Sequence, residues 1–209
     1  MSGIGPPVLS ADDPDAIPAA IDVLWMGGIV GVPTETVYGL AVLPQPEPLA
    51  TLLIAKRRPS DKGITLAVDS LDQVEAVAEV SAAARHLADR FWPGPLTLVL
   101  PPRTGSVLPD PLLGPTGAVG FRLPDHPVPR GLAAALGPIG LTSANLSGEP
   151  DARTSDELIA AIGDSIGLVI DGGAAQGGVP STVVAFDGNG ANILREGAIG
   201  SAAIRAALR

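Results

Sequence analysis

Apolar residues recur along the chain at two spacings, and the changes between them mark out helices and strands. After the capping-rich stretch Ser10 to Asp15, Ile17, Ala20, Ile21 and Leu24 recur at helical intervals until Gly27-Gly28 ends the run. Ile29-Val30-Gly31-Val32-Pro33 reads as a buried strand, Glu47 to Lys56 as a helix through Leu49, Leu52 and Leu53, and Ile64 to Val68 as a strand. Asp69-Ser70 caps a helix expected to reach about Val80, and Ser81 starts another that runs to about Phe91. Trp92-Pro93-Gly94-Pro95 breaks that helix before the strand Leu96 to Leu100. Residues 101–117, rich in Pro and Gly, read as a long surface excursion, and Ala118 to Leu123 returns as a strand. Val128 to Leu136 and Ser155 to Ile162 read as helices around the short strand Ile139 to Thr142. Strands at Leu168 to Ile170, Thr182 to Phe186 and Asn192 to Arg195 follow, and Ser201 to Leu208 closes the chain as a helix. The last strands succeed one another without a helix between, so an α/β fold with a mixed parallel and antiparallel sheet is expected. No repeat or linker divides the chain, which reads as one domain over residues 1–209.

Composition narrows this picture. Hydrophobic residues make 46% of the chain but aromatic ones only 3%, so the core must be built from Val, Ile, Leu and Ala. There is no cysteine and there are only two histidines, His86 and His126, which excludes disulfides, thiolate zinc sites, cysteine nucleophiles and histidine-rich metal centres. The net charge of -9 opposes broad binding to nucleic acid but leaves room for a local basic pocket. No basic residue precedes Lys56 and no apolar run reaches the roughly 18 residues of a membrane span, so a soluble cytoplasmic protein is expected.

Charge placement carries the strongest chemical signal. Both lysines of the chain, Lys56 and Lys62, lie within seven residues that also hold Arg57 and Arg58. Such a cluster is an anion site, or a set of cations ending a helix and favoured by its dipole; the dipole does not reach as far as Lys62. Leu141-Thr142-Ser143-Ala144-Asn145-Leu146-Ser147-Gly148 follows a strand with small hydrogen-bonding side chains, either a ligand loop or an ordinary exit bonded to its own backbone. Pro33-Thr34-Glu35-Thr36-Val37-Tyr38-Gly39 carries the lone tyrosine, which lines a polar pocket or sits in the core with its hydroxyl satisfied. Arg122 interrupts an apolar strand and needs an anion or a carboxylate, with Asp125 as the nearby candidate. The chain has no G-x-x-x-x-G-K-[ST], complete G-x-G-x-x-G or H-E-x-x-H motif. Gly163 to Gly167 matches G-x-S-x-G but runs from a helix into a strand, so it reads as a turn.

In order along the chain, these segments resemble the threonylcarbamoyl-AMP synthase family, the YrdC and Sua5 group, over about Asp15 to Gly200. The resemblance is carried by Gly27-Gly28 through Pro33-Thr34-Glu35-Thr36-Val37-Tyr38-Gly39-Leu40, Lys56-x-Arg58, Trp92-Pro93-Gly94-Pro95-Leu96-Thr97 and Gly120-Phe121-Arg122-Leu123-Pro124. Ser143-x-Asn145, Pro180-Ser181-Thr182-Val183 and Leu194-Arg195-Glu196-Gly197 complete it. It implies a twisted mixed sheet flanked by helices around a positively lined cavity. The implied reaction joins L-threonine, bicarbonate and ATP, brought with Mg2+, into threonylcarbamoyl-AMP and pyrophosphate for N6-threonylcarbamoyladenosine in tRNA. By the same resemblance Lys56, Arg58, Ser143, Asn145 and Arg195 would hold ATP, with Lys56 and Arg58 offsetting the phosphate charge in catalysis. Thr34, Tyr38, Arg122 and Ser181 would hold threonine, Arg122 gripping its carboxylate. A downstream transferase complex and tRNA are the implied further partners.

The chain departs from the longer members in reading Lys62-Gly63-Ile64-Thr65-Leu66-Ala67 where they carry a proline and then a histidine, and in this it resembles the single-domain YrdC branch. Arg57 stands where glycine is frequent, and the additional domain of the longer Sua5 form has no counterpart. The alternatives to a synthase are a non-catalytic RNA- or nucleotide-binding module of the same fold and a carbamoyl-adenylate-forming paralogue with another acceptor.

Overall fold

A computed structural model describes residues 5–58, 63–187 and 190–209. Its strands are short, and they satisfy their backbone groups by pairing into one ten-stranded sheet. In chain order they are β1 (Val8–Ser10), β2 (Val30–Val32), β3 (Gly39–Val42), β4 (Thr65–Ala67), β5 (Leu96–Leu100), β6 (Val119–Arg122), β7 (Ile139–Ser143), β8 (Leu168–Asp171), β9 (Thr182–Asp187) and β10 (Gly190–Arg195). Across the sheet the order is β1-β8-β2-β3-β7-β4-β6-β5-β9-β10. Parallel pairs (β1 with β8, β2 with β8, β4 with β6, β5 with β9) occur together with antiparallel ones, so the sheet is mixed as expected.

The helices are α1 (Ala16–Trp25), α2 (Pro46–Ala55), α3 (Leu71–Glu75), α4 (Ala82–Phe91), α5 (Pro127–Leu136), α6 (Ser155–Ile162) and α7 (Ser201–Ala207). Strand alternation sends side chains to both faces of the sheet, and each face has its own apolar layer. Ala16, Ala20 and Leu24 of α1 and Val128 and Leu132 of α5 cover Val30, Val32, Ala41, Ile139 and Ile170. The other layer packs Leu49 and Leu52 of α2, Leu87 of α4, Leu158 of α6 and Ile204 of α7 against Leu40, Val42, Leu66, Leu98 and Phe121. Caps fix two of the helix starts: Ser81 Oγ accepts from Ala84 N (3.2 Å), and Thr154 Oγ1 accepts from Glu157 N (3.1 Å).

The structure departs from the pattern reading at four places. The helix after Ser70 stops at Glu75, because the backbone beyond it bonds to the exit of β5 instead: Glu79 N donates to Pro101 O (2.9 Å) and Arg103 N to Val77 O (2.9 Å). Residues 101–117 are not a free excursion. Leu112 is buried, Ile64 N donates to Pro111 O (2.8 Å), and a Cβ on Gly63 would lie 2.9 Å from Leu112 O, so the segment folds back against the entry to β4. Two strands, β1 and β3, are additional to those expected. Lys62, the far end of the basic cluster, lies outside the described residues. Gly163–Ser165 is a single 3-10 turn between α6 and β8, as its context predicts.

The end of α2 accounts for the glycine preference at position 57. Arg57 N donates to Ile54 O (3.0 Å) and Arg58 N to Leu53 O (2.9 Å), a Schellman closure whose pivot, Arg57, has φ 50°. A side chain in that left-handed region costs on the order of 1 kcal/mol. Arg57→Gly is therefore expected to raise the free energy of unfolding by about 0.5–1 kcal/mol in urea titrations. A loss of that size would show that the arginine side chain contributes more than its backbone costs.

Candidate active site

Arg58, Arg122 and Arg195 come from the turn after α2 and from the ends of β6 and β10, and all three line one cleft of about 730 Å3, part of it open to solvent. Among the described residues Asp151 is the one acidic side chain in the lining, so the described cleft is cationic within an acidic protein. Thr34, Tyr38, Ser143 and Ser181 also line it, which gathers seven of the nine residues expected at the site. Lys56 and Asn145 lie behind Ser143 instead.

Lys56 is buried, with 1% of its surface exposed. Its ammonium donates to Ser143 O, to Asn145 O (2.6 Å) and to Asn145 Oδ1 (3.3 Å). Ser143 Oγ donates to the same Asn145 Oδ1 (2.6 Å), and Asn145 Nδ2 donates to Glu149 O (2.6 Å). The K-x-R and S-x-N segments thus do converge, but through the interior: all three ammonium donors are used on the loop. Burial and the nearby Arg58 lower the Lys56 pKa from 10.5 to about 8, against the pull of Asp151. Direct contact between Lys56 and a phosphate requires these bonds to be given up.

Arg122 finds a carboxylate at Glu35 rather than at Asp125. Its Nη2 donates to Glu35 Oε1 (2.5 Å) and Thr36 Oγ1 (2.9 Å), and its Nε to Gly94 O (3.3 Å). The Trp92-Pro93-Gly94-Pro95 turn supplies that carbonyl; its Trp92–Pro93 bond is cis, and Gly94 N donates to Leu123 O (2.8 Å), next to Arg122. Thr34 Oγ1 donates to Val37 O (2.6 Å) and accepts from Thr36 N and Val37 N (3.2 Å each), a side-chain turn that holds Glu35 at its crest.

Arg195 folds onto Ser181, with Nη2 donating to Ser181 O (2.8 Å) and Oγ (3.3 Å), while Ser181 Oγ shares a hydrogen bond with Thr97 Oγ1 (2.8 Å). Gly197 permits this approach, since a Cβ there would lie 2.6 Å from Ser181 O. Burial lowers the pKa of Arg195, and Arg122 adds to the effect, opposed by Asp151. Tyr38 is fully buried, and its hydroxyl is engaged by Asp171 Oδ1 (2.9 Å), Gly173 O (2.7 Å) and Gly172 N (3.0 Å). Burial pushes its pKa up to about 12. Tyr38 therefore offers the cleft a wall, not a free hydroxyl.

Thr65, Thr142 and Asp151 line the cleft and make no side-chain hydrogen bond among the described residues, so they present polar groups that the expected set lacks. Thr142 lay inside a segment already singled out. Thr65 lies within an expected strand and Asp151 between expected elements, and no local pattern marks either.

A match to the family described as "Telomere recombination" (Sua5, YciO and YrdC proteins) covers residues 22–197. This chain belongs to that family. The threonylcarbamoyl-AMP synthase of Pyrococcus abyssi is 38% identical over 161 residues, 76% of this chain and 47% of the relative. That of Vibrio cholerae (El Tor N16961) is 35% identical over 183 residues, 85% of this chain and 95% of the relative. The chain thus spans about half the length of the first relative and nearly all of the second. A P. abyssi Sua5 structure complexed with L-threonine superposes with a TM-score of 0.85 at 34% identity, covering 91% of this chain and 57% of that one. The family's mixed sheet with flanking helices is the architecture described above.

In this Sua5–YciO–YrdC family member the Lys56 pKa is lower in the fold, about 8, than its ordinary 10.5, so between those pH values the unfolded chain binds more protons and raising pH favours folding. Below about pH 8 Lys56 is charged in both states and contributes no slope. Relative to Lys56→Met, the wild-type protein is expected to gain on the order of 2–3 kcal/mol across this window in denaturant titrations. A stability difference independent of pH would contradict a desolvated ammonium.

Proposed function

We propose that this chain is a threonylcarbamoyl-AMP synthase, joining L-threonine, bicarbonate and ATP into threonylcarbamoyl-AMP with release of pyrophosphate. The supporting observation is the convergence of Arg58, Arg122 and Arg195 on one cleft whose remaining polar lining is almost entirely hydroxyl groups. Such a site suits anionic substrates that carry hydroxyls and holds them by position and charge rather than by a nucleophile.

In this reading Arg122 takes the threonine carboxylate, with Thr34, Tyr38 and Ser181 shaping the surrounding wall. Arg58 and Arg195 take the ATP phosphates, beside the loop of Ser143 and Asn145. Lys56 acts from behind that loop, fixing the carbonyls on which the nucleotide side of the cleft is built. The threonine amine adds to carbon dioxide with loss of a proton, or to bicarbonate with loss of water, to give the carbamate; a carbamate oxygen then attacks the α-phosphorus in line as the bond to pyrophosphate breaks, and pyrophosphate leaves toward the arginines. In this reading Mg2+ enters as part of the MgATP substrate. Asp151 is the carboxylate in the cleft suited to meet a water on that ion. In this reading the product is a reactive anhydride whose consumer would be a transferase acting on tRNA, and the reaction would take place in the cytoplasm. Among the described residues no helix is long and apolar enough to cross a membrane.

Pyrophosphate release from MgATP tests the reading. Dependence on both L-threonine and bicarbonate is expected. Release that needs no threonine would move the assignment to another acceptor, and none under conditions where ATP binds would favour a binding module. Arg122→Ala should raise KM for threonine by roughly ten- to a hundredfold with KM for ATP nearly unchanged, and Arg58→Ala should do the reverse. Equal effects of the two changes on both substrates would contradict the division of the cleft.

A further inference from the structure

Thr65 lines the cleft at the start of β4, between the arginine assigned to the phosphates and the one assigned to the carboxylate. On one side Arg58 Nη2 donates to Gly63 O (3.1 Å), two residues before Thr65. On the other, the parallel register of β4 and β6 pairs Leu66 with Phe121 and Ala67 with Arg122, which sets Thr65 beside Gly120. A Cβ on Gly120 would lie 3.2 Å from Thr65 Oγ1, so the hydroxyl stands over that face of β6. Arg122 leaves the same face two residues further on, about 7 Å along the strand.

The Thr65 hydroxyl is also open. It makes no side-chain hydrogen bond among the described residues, and it is not sealed from solvent, since the one sealed side-chain nitrogen or oxygen without a partner among them belongs to Glu35. Nearby hydroxyls are spent, Thr97 Oγ1 and Ser181 Oγ on each other (2.8 Å) and Thr34 Oγ1 on Val37 O (2.6 Å). The groups around Thr65 Oγ1 are apolar: the Thr97 methyl lies 3.4 Å from the same Cβ position on Gly120, and Leu141, the partner of Thr65 across β7, lines the cleft beside it. A fixed donor in such surroundings acts more strongly on developing charge than one in water.

We propose that Thr65 is a catalytic residue whose hydroxyl holds bicarbonate, donating a hydrogen bond to the oxygen that becomes the carbonyl of the carbamoyl group. That carbonyl joins the amino acid to the α-phosphate, so it must lie between the group that grips the carboxylate and the groups that grip the phosphates, which is where Thr65 stands. As the amine adds to the bicarbonate carbon and water departs, negative charge gathers on this oxygen and the hydrogen bond to it strengthens. The other carbamate oxygen then attacks the α-phosphorus as the bond to pyrophosphate breaks. Thr65 keeps its proton throughout and forms no covalent bond. This inference rests on the synthase reading of the cleft.

Pyrophosphate release by the full chain, followed as bicarbonate is varied at saturating L-threonine and MgATP, tests the proposal alongside calorimetric titration with L-threonine and with ATP. Thr65→Val keeps the shape and removes the hydroxyl. It is expected to lower the rate at limiting bicarbonate roughly ten- to a hundredfold while both calorimetric affinities stay within about twofold of wild type. Thr65→Ser, which keeps the hydroxyl, should restore most of that rate. A matching loss of L-threonine affinity in Thr65→Val would show that the hydroxyl reads the amino acid, a matching loss of ATP affinity that it reads the nucleotide, and an unchanged bicarbonate dependence that it does not act; each overturns the proposal and leaves the synthase reading intact. Should Thr65→Val not fold, Thr65→Ser and Thr65→Ala, which differ only in the hydroxyl, decide the same question, and equal bicarbonate dependence in the two overturns the proposal. Release by wild type that needs no bicarbonate would bring down the synthase reading and the proposal together.

Discussion

The cleft depends on a buried ammonium. Lys56 ends α2 with its charge turned inward onto the carbonyl oxygens of Ser143 and Asn145, tying the helix terminus to the loop that leaves β7. An ammonium can sit at 1% exposure only because its three donors are all met. The same contact directs the chain after Lys56 so that Arg58 reaches the cleft, and it holds Ser143 at the cleft wall. Cationic density at the cleft thus comes from arginines, which keep their charge and fork geometry, while the lysine is used for construction.

A similar economy holds around Arg122 and Arg195. The hydroxyls of Thr34, Thr97 and Ser181 are spent on the turn and on one another, and that of Tyr38 on the loop after β8. They set the shape of the cleft and fix Arg122 and Arg195, whereas the groups left open among the described residues are those of Thr65, Thr142, Asp151 and Arg122 Nη1. Such a division of labour suits catalysis by preorganisation, since side chains already bonded do not have to reorganise when charge develops on the substrate.

Much of the fold was legible in the sequence because its signals are local. The helix start at Ser81, the helical spacing of Ile17 to Leu24 and the valine- and leucine-rich strands each carry their own pattern. The failures occurred where a distant partner decides. The stretch after Ser70 has helical periodicity, but its backbone pairs with the exit of β5 instead, Glu79 N donating to Pro101 O and Val77 O accepting from Arg103 N. Residues 101–117 lack periodicity, yet Leu112 is buried under the entry to β4. At the site, residue types and motif order picked out seven lining positions, but local sequence could not say that Arg122 pairs with Glu35 rather than Asp125, nor that Lys56 points away from the cleft. Both choices are made across long stretches of chain, and no spacing rule encodes them.

We assign the amino-acid end of the cleft to Arg122 and the nucleotide end to Arg58 with Arg195. A crystal structure of the chain with L-threonine and a non-hydrolysable ATP analogue tests it most directly. The threonine carboxylate is predicted on Arg122 and the phosphates on Arg58 and Arg195, with Lys56 still bonded to the Ser143 and Asn145 carbonyls. Phosphates seated on a Lys56 released from those carbonyls, or threonine bound away from Arg122, would contradict the account.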